Sequence, residues 1–208
     1  GKNVLLTGGS LGIGKETALN LFRKGANVIA TGRSIDRLKK SFDCTDVKLI
    51  EFDIGDIDNI KSNTKKCLEF FNNKVDVLIN NAGIGVRRSI EELNIKDFLD
   101  VYNVNVFGLS LLTKEIIPFM KNQKNGTIIN IGSTASLKGY PTGSIYSSSK
   151  FAVRCLTQCW QAELRPFNIR VCQVNPSEVT TAFANPERVE RDEIPNKLSP
   201  KEISHAII

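Results

Sequence analysis

Apolar residues recur along this chain in two alternating rhythms. Short runs at 4–7, 27–31, 47–51, 75–80, 127–131 and 170–174 are rich in Val, Ile and Leu and have the length of strands buried on both faces. Between them, 13–24, 34–41, 57–71, 95–120 and 144–166 carry the three-to-four-residue spacing of amphipathic helices. Strand and helix in strict alternation predict an α/β fold, a parallel sheet covered by helices on both faces. Right-handed crossovers make such a sheet doubly wound and put ligands at the carboxyl ends of its strands. No linker, low-complexity segment or repeat interrupts the pattern, so residues 1–208 read as one domain.

The chemistry-bearing segments fall at those carboxyl ends. The first strand runs into Gly8-Gly9-Ser10-Leu11-Gly12-Ile13-Gly14 and then into a helix. Glycines let backbone amides at a helix start face a pyrophosphate without a Cβ in the way, so Gly8, Ser10, Leu11, Gly12, Ile13 and Gly14 form a candidate dinucleotide cradle, or else a tight connection. Further on, Tyr146 and Lys150 stand four apart in a helical segment and share one face. A cation beside a phenol favours the phenolate and lowers its pKa, which suits the pair to proton transfer; on an exposed helix the same spacing is commonplace.

Both motifs together, TGxxxGxG near the start and YxxxK past the middle, resemble the short-chain dehydrogenase/reductase family over essentially the whole chain. Asp53, Asn80-Asn81-Ala82-Gly83, Asn105, Ser133 and Asn175-Pro176 stand in the family's order, with Ser133 thirteen residues before Tyr146. The resemblance implies a Rossmann-like fold and an oxidoreductase that moves a hydride between a nicotinamide and a ketone or secondary alcohol. It assigns catalysis to Asn105, Ser133, Tyr146 and Lys150. Tyr146 would protonate the developing alkoxide and Ser133 would orient the carbonyl. Lys150 would lower the Tyr146 pKa and bind the nicotinamide ribose, and Asn105 would interrupt its helix and hold a relaying water. Asp53 and Ile54 would meet the adenine, Asn81, Ala82 and Gly83 the adenosine ribose, and Pro176, Val179 and Thr180 the nicotinamide side, with Ser177 replacing the usual glycine. A seventh strand, also implied, does not appear before Ile208.

Cofactor choice rests on the tip of the second strand. Gly32 stands where the family's NAD-preferring members carry an acid, and Arg33 follows with a guanidinium suited to a 2′-phosphate. The expectation is NADP(H) in preference to NAD(H), although Leu11 stands where many NADP-users place a second base.

Composition narrows the alternatives. The net charge of +6 comes from 28 basic residues scattered among 22 acidic ones, which fits a solvated surface and no nucleic-acid partner. No apolar stretch approaches the roughly 18–20 residues of a membrane span, and the expectation is a cytoplasmic protein. Cys44, Cys67, Cys155, Cys159 and Cys172 form no CxxC pair and read as buried thiols in a reducing compartment. The one histidine, His205, is the fourth residue from the end, so a Ser-His-Asp hydrolase lacks a base. No His/Cys/carboxylate cluster has metal-ligand spacing.

The resemblance points to a small-molecule carbonyl or acyl-thioester substrate, foremost a 3-oxoacyl thioester as in 3-oxoacyl-carrier-protein reductases; sugars, steroids and small diketones stay open. A cofactor-binding regulator without turnover is the alternative from another class. Arg87 and Arg88 are candidates for attracting an anionic carrier, and 180–198, with Phe183, Pro186, Glu187, Arg188, Arg191 and Pro195, is the expected lid. The resemblance further implies a homotetramer or homodimer paired through 95–120 and 144–166, with Phe151, Val153, Leu156 and Trp160 serving core and partner faces.

Overall fold

The computed structural model describes residues 1–43, 45–183, 185, 187, 189–192 and 194–208. Cys44, Pro186 and Arg188 therefore lie outside the described residues. Six parallel strands, β1 (Asn3–Leu6), β2 (Asn27–Gly32), β3 (Lys48–Glu51), β4 (Val77–Asn80), β5 (Gly126–Ile131) and β6 (Ile169–Val174), form one sheet in the order β3-β2-β1-β4-β5-β6. This is the doubly wound Rossmann-like order, and its reversal between β1 and β4 opens a crevice at the carboxyl ends of those strands.

Alternation along each strand divides the apolar residues between two layers. Leu5, Ile29, Leu78 and Ile128 face a core closed by α3 (Ile60–Phe70), α5 (Leu109–Gln123) and α6 (Ser144–Leu164). Val4, Leu6, Val28, Ala30 and Ile79 face the opposite core, closed by α1 (Gly12–Arg23), α2 (Ile35–Ser41) and α7 (Pro200–Ile207). Among the described residues no helix is long and apolar enough to cross a membrane.

Three departures from the sequence pattern matter. The helix expected over 95–120 is split: α4 (Ile95–Tyr102) passes through a π-helical turn at Asn103–Gly108 before α5 begins. A Cβ on Gly108 would collide with the Ile54 carbonyl oxygen, so glycine lets the widened turn rest on the segment after β3. The second departure is α7, for which the expectation named no element. Ser199 Oγ accepts from Glu202 N at 3.3 Å, and Glu202 Oε2 accepts from Ser199 N at 2.7 Å. This reciprocal cap starts a helix that buries Ile203 and Ile207 beside α1.

The third departure concerns the thiols. Cys67 is buried, and burial pushes its thiol up to about 12. Cys155 and Cys159 are exposed on α6, contrary to the expectation of buried thiols. Val153 and Thr157 turn inward, and two residues further on is about 200° around the helix, which carries both cysteines to the solvent side.

Candidate active site

A continuous cleft of about 940 Å³ runs across the carboxyl ends of the strands, close to the upper end of the usual range for ligand pockets. Its floor is the glycine loop between β1 and α1. Thr7 anchors that loop to the strand beside it: its Oγ1 accepts from Asn81 N and Ala82 N, both at 3.1 Å. Asn81 Nδ2 returns bonds to the carbonyl oxygens of Thr7 at 3.0 Å and Gly8 at 2.9 Å. The Asn81 side chain thus ties two strand tips together, leaving backbone and Ala82 to face the cleft. A Cβ on Gly14 would strike the Gly8 carbonyl oxygen, so the turn closes as tightly as it does only with glycine there.

Gly8, Ser10, Leu11, Gly12, Ile13, Gly14, Arg33, Asp53, Ile54, Asn81, Ala82 and Gly83 all line this cleft, as do Ser133, Tyr146, Lys150, Pro176 and Val179. Two expected residues do not. Thr180 is buried behind the wall, donating from N to the Leu198 carbonyl at 3.0 Å, and Thr181 takes its place on the surface of the cleft. Asn105 is wholly buried, one layer behind Lys150.

At one end of the cleft Arg33 and Arg37 stand exposed beside Gly32, and neither makes an ion pair among the described residues. Arg37 escaped the sequence reading, although its place four residues after Arg33, on the first turn of α2, was the available signal. Asp53 Oδ1 accepts from Gly55 N at 2.9 Å and so shapes the turn after β3 while lining the cleft.

The other end holds Tyr146 and Lys150. α6 presents Tyr146 and Lys150 from successive turns, with the Lys150 ammonium 5.9 Å from the centre of the Tyr146 ring. The ammonium donates to the Ile131 carbonyl at the end of β5, at 2.8 Å. Burial disfavours its charge and lowers its pKa to about 8. Burial likewise pushes the Tyr146 phenol up to about 12, with the Ser133 hydroxyl pulling in the opposite direction and Tyr140 adding to the rise. The expected lowering by Lys150 is not expressed in this arrangement, because the ammonium is turned to Ile131 rather than to the phenol.

Ser133 is fixed by its neighbours. Its backbone N donates to Ser136 Oγ at 3.1 Å and to Asn175 Oδ1 at 3.2 Å, while its Oγ accepts from Ala135 N at 3.1 Å. Asn105 sits in the π-helical turn with its side chain fully engaged. Nδ2 donates to the Ile84 carbonyl at 2.9 Å and to Ser149 Oγ at 3.0 Å, and Oδ1 accepts from Ile84 N at 2.9 Å. Further side chains wall this end of the cleft: Phe183 packs on Tyr146 with ring centres 5.6 Å apart, and Arg87 lies 5.7 Å over the Tyr140 ring. Arg88 is drawn away into an ion pair with Asp97 at 2.7 Å.

The sequence pattern of the short chain dehydrogenase family matches residues 2–192, and the chain belongs to that family. It is 33% identical over 182 residues to a 3-ketodihydrosphingosine reductase of Bacteroides thetaiotaomicron, covering 88% of this chain. The chain spans 65% of the length of that relative. A solved alcohol dehydrogenase from Thermococcus sibiricus, complexed with 5-hydroxy-NADP, superposes with a TM-score of 0.89 at 30% identity, over 99% of this chain and 88% of its own. A 3-ketoacyl-(acyl-carrier-protein) reductase from Brucella melitensis, complexed with NADH, gives 0.89 at 29% identity, over 100% and 89%. Each of these two solved relatives is thus complexed with a nicotinamide nucleotide or a derivative of one.

Proposed function

We propose that this chain forms an NADPH-dependent ketone reductase whose leading substrate class is the 3-oxoacyl thioesters. The observation that carries the proposal is the shared wall of Ser133, Tyr146 and Lys150 at one end of a cleft whose floor is the glycine cradle. A nicotinamide bound there supplies the transferable hydride. The cradle fits its pyrophosphate, since Gly14, where a Cβ would strike the Gly8 carbonyl oxygen, lets the loop turn tightly, and Asp53, Ile54 and Ala82 would take the adenosine half.

The protein's own part is orientation and proton supply. Ser133 Oγ, held by Ala135 N and set beside the phenol, would fix the substrate carbonyl oxygen. Tyr146, kept protonated by burial, then delivers its proton to that oxygen as charge develops. Lys150, whose pKa of about 8 lies near working pH, would replenish the proton and hold the ribose hydroxyls. Asn105 would act through the π-helical turn, fixing the Ile84 segment against Lys150.

Arg33, supported by Arg37, would receive a 2′-phosphate, which favours NADPH over NADH. Arg87 would meet an anionic carrier, because Arg88 is already neutralised by Asp97. The exposed apolar side chains of Ile95, Leu99, Phe107 and Phe151 support pairing into a homodimer or homotetramer through α4 and α6. Exposed Cys155 and Cys159 suit a reducing cytoplasm. A panel of acyl thioesters, sugars, steroids and diketones assayed with both reduced nicotinamides tests the proposal. Preferred turnover of a 3-oxoacyl thioester with NADPH supports it; cofactor binding without turnover of any ketone favours the regulator instead.

A further inference from the structure

We infer that Glu190 is a built-in competitor for the anion cradle, occupying the glycine loop until a nucleotide pyrophosphate displaces it. The inference rests on the reading of that loop as the pyrophosphate site and adds a regulation of the same site. The observation is one bond: Gly12 N donates to Glu190 Oε1 at 2.6 Å, across 178 residues of sequence.

Gly12 is the first residue of α1, whose opening amides have no partner within the helix. Leu11 ahead of it offers no side-chain cap, and the first turn contains no acidic residue. The helix therefore brings no anion of its own to a position where its dipole and free N–H groups favour one. The lid supplies it. A carboxylate accepting from a backbone N–H is among the stronger hydrogen bonds, and 2.6 Å is short for an N–H donor.

The strap that carries Glu190 is held in place by its own anchors. Arg191 donates from Nη2 to the Val179 carbonyl at 2.9 Å, from Nε to the Thr181 carbonyl at 3.2 Å and from Nη1 to Glu178 Oε1 at 3.3 Å. Val179 pairs with Leu198 at the far end, and Asn185 Nδ2 bonds the Val189 carbonyl at 3.2 Å. Thr181 also stands directly over Gly12, so close that a Cβ placed there would meet its Cγ2 at 2.9 Å. The lid thus reaches the cradle with a carboxylate already aimed at it.

Two anions cannot share the Gly12 amide. Entry of the pyrophosphate has to release Glu190, so the observed affinity is the intrinsic one reduced by the fraction of molecules with the cradle open.

Calorimetric titration of NADPH into the folded wild-type chain and its variants tests this without any turnover. Glu190→Ala is expected to lower Kd about tenfold, which is roughly 1.4 kcal/mol, with Glu190→Gln between it and wild type. Asp192→Asn, which removes the same charge from the same exposed strap, should leave Kd unchanged. Adenosine, lacking the pyrophosphate, should bind all four proteins alike. A Glu190→Ala Kd within twofold of wild type, an equal gain in Asp192→Asn, or no nucleotide binding in any of them overturns the inference. Tighter binding in Glu190→Ala without reduction of any ketone would leave this inference standing and remove the reductase reading alone.

Discussion

Asn105 clasps Ile84 from both sides, its Oδ1 taking the Ile84 N–H and its Nδ2 reaching the Ile84 carbonyl, each at 2.9 Å. A side-chain amide here imitates a neighbouring strand, and the π-helical turn at Asn103–Gly108 is what carries it to that position. The same amide holds Ser149 Oγ at 3.0 Å, next to Lys150 in sequence. One residue thereby couples the segment after β4 to the helix that bears the proton pair.

Replacing Asn105 by Ala leaves a part-buried donor and acceptor on Ile84 without their partner. Each such loss costs about 1–3 kcal/mol when the group is fully buried, and partial exposure discounts it, so the variant is expected to unfold at lower urea with a total loss of about 2–4 kcal/mol. kcat should fall more than tenfold while NADPH affinity changes less, since the cradle does not touch this residue; a fall in kcat alone, with urea stability unchanged, would place Asn105 in the reaction rather than in the framework.

Lys150 is buried with its pKa lowered to about 8, against an ordinary 10.5. Between these values the unfolded chain binds a proton that the folded one does not, so stability gains from this group as pH rises from about 8 to 10.5. Below pH 8 the folded chain bears the cost of a buried charge. Lys150→Met removes it, and is expected to be more stable than wild type at pH 7 by about 1–3 kcal/mol, after loss of the bond to Ile131. The advantage should shrink by pH 10, the lower edge of the range from about 10 to about 12 over which the raised Tyr146 phenol acts in the opposite sense in both proteins alike. Urea titrations of both proteins at pH 7 and 10 measure the difference.

Gly32 has room for a side chain, with Leu38 carbons no nearer than 3.5 Å to a Cβ built there. Gly32→Asp should therefore fold and place a carboxylate beside Arg33. It would accept from a ribose 2′-hydroxyl and repel a 2′-phosphate, and is expected to shift the kcat/KM ratio of NADPH to NADH by about 100-fold or more toward NADH. An unchanged ratio would mean that this strand tip does not choose the cofactor.

The six strands were legible because each carries a short apolar run, buried on both faces in the four inner strands and more open in the edge strands β3 and β6. The glycine loop and the Tyr146–Lys150 pair were legible as local spacings, and Ser133, Asn105 and Asp53 through resemblance. What escaped was set by tertiary contacts or by short elements. Periodicity alone carries α4 straight into α5, because a π-helical turn adds one residue without breaking the apolar rhythm. α7 has only Ile203 and Ile207 as anchors, although Ser199 and Glu202 advertised its start. Thr180 and Thr181 could not be told apart before the backbone between Val179 and Leu198 was in view. No local pattern foretells a carboxylate at position 190 bonding an amide at position 12.

The phenol of Tyr146 is the centre of the account, and Tyr146→Phe tests it with the fewest changes, since the ring keeps its packing against Phe183. Single-turnover reduction of a 3-oxoacyl thioester by NADPH, at saturating cofactor and with NADPH affinity measured on the same protein, is the decisive measurement. The account requires affinity to stay within a few-fold of wild type while the rate falls by about 10²–10⁴, the usual worth of a positioned general acid. Undiminished reduction by a variant that still binds NADPH would contradict it.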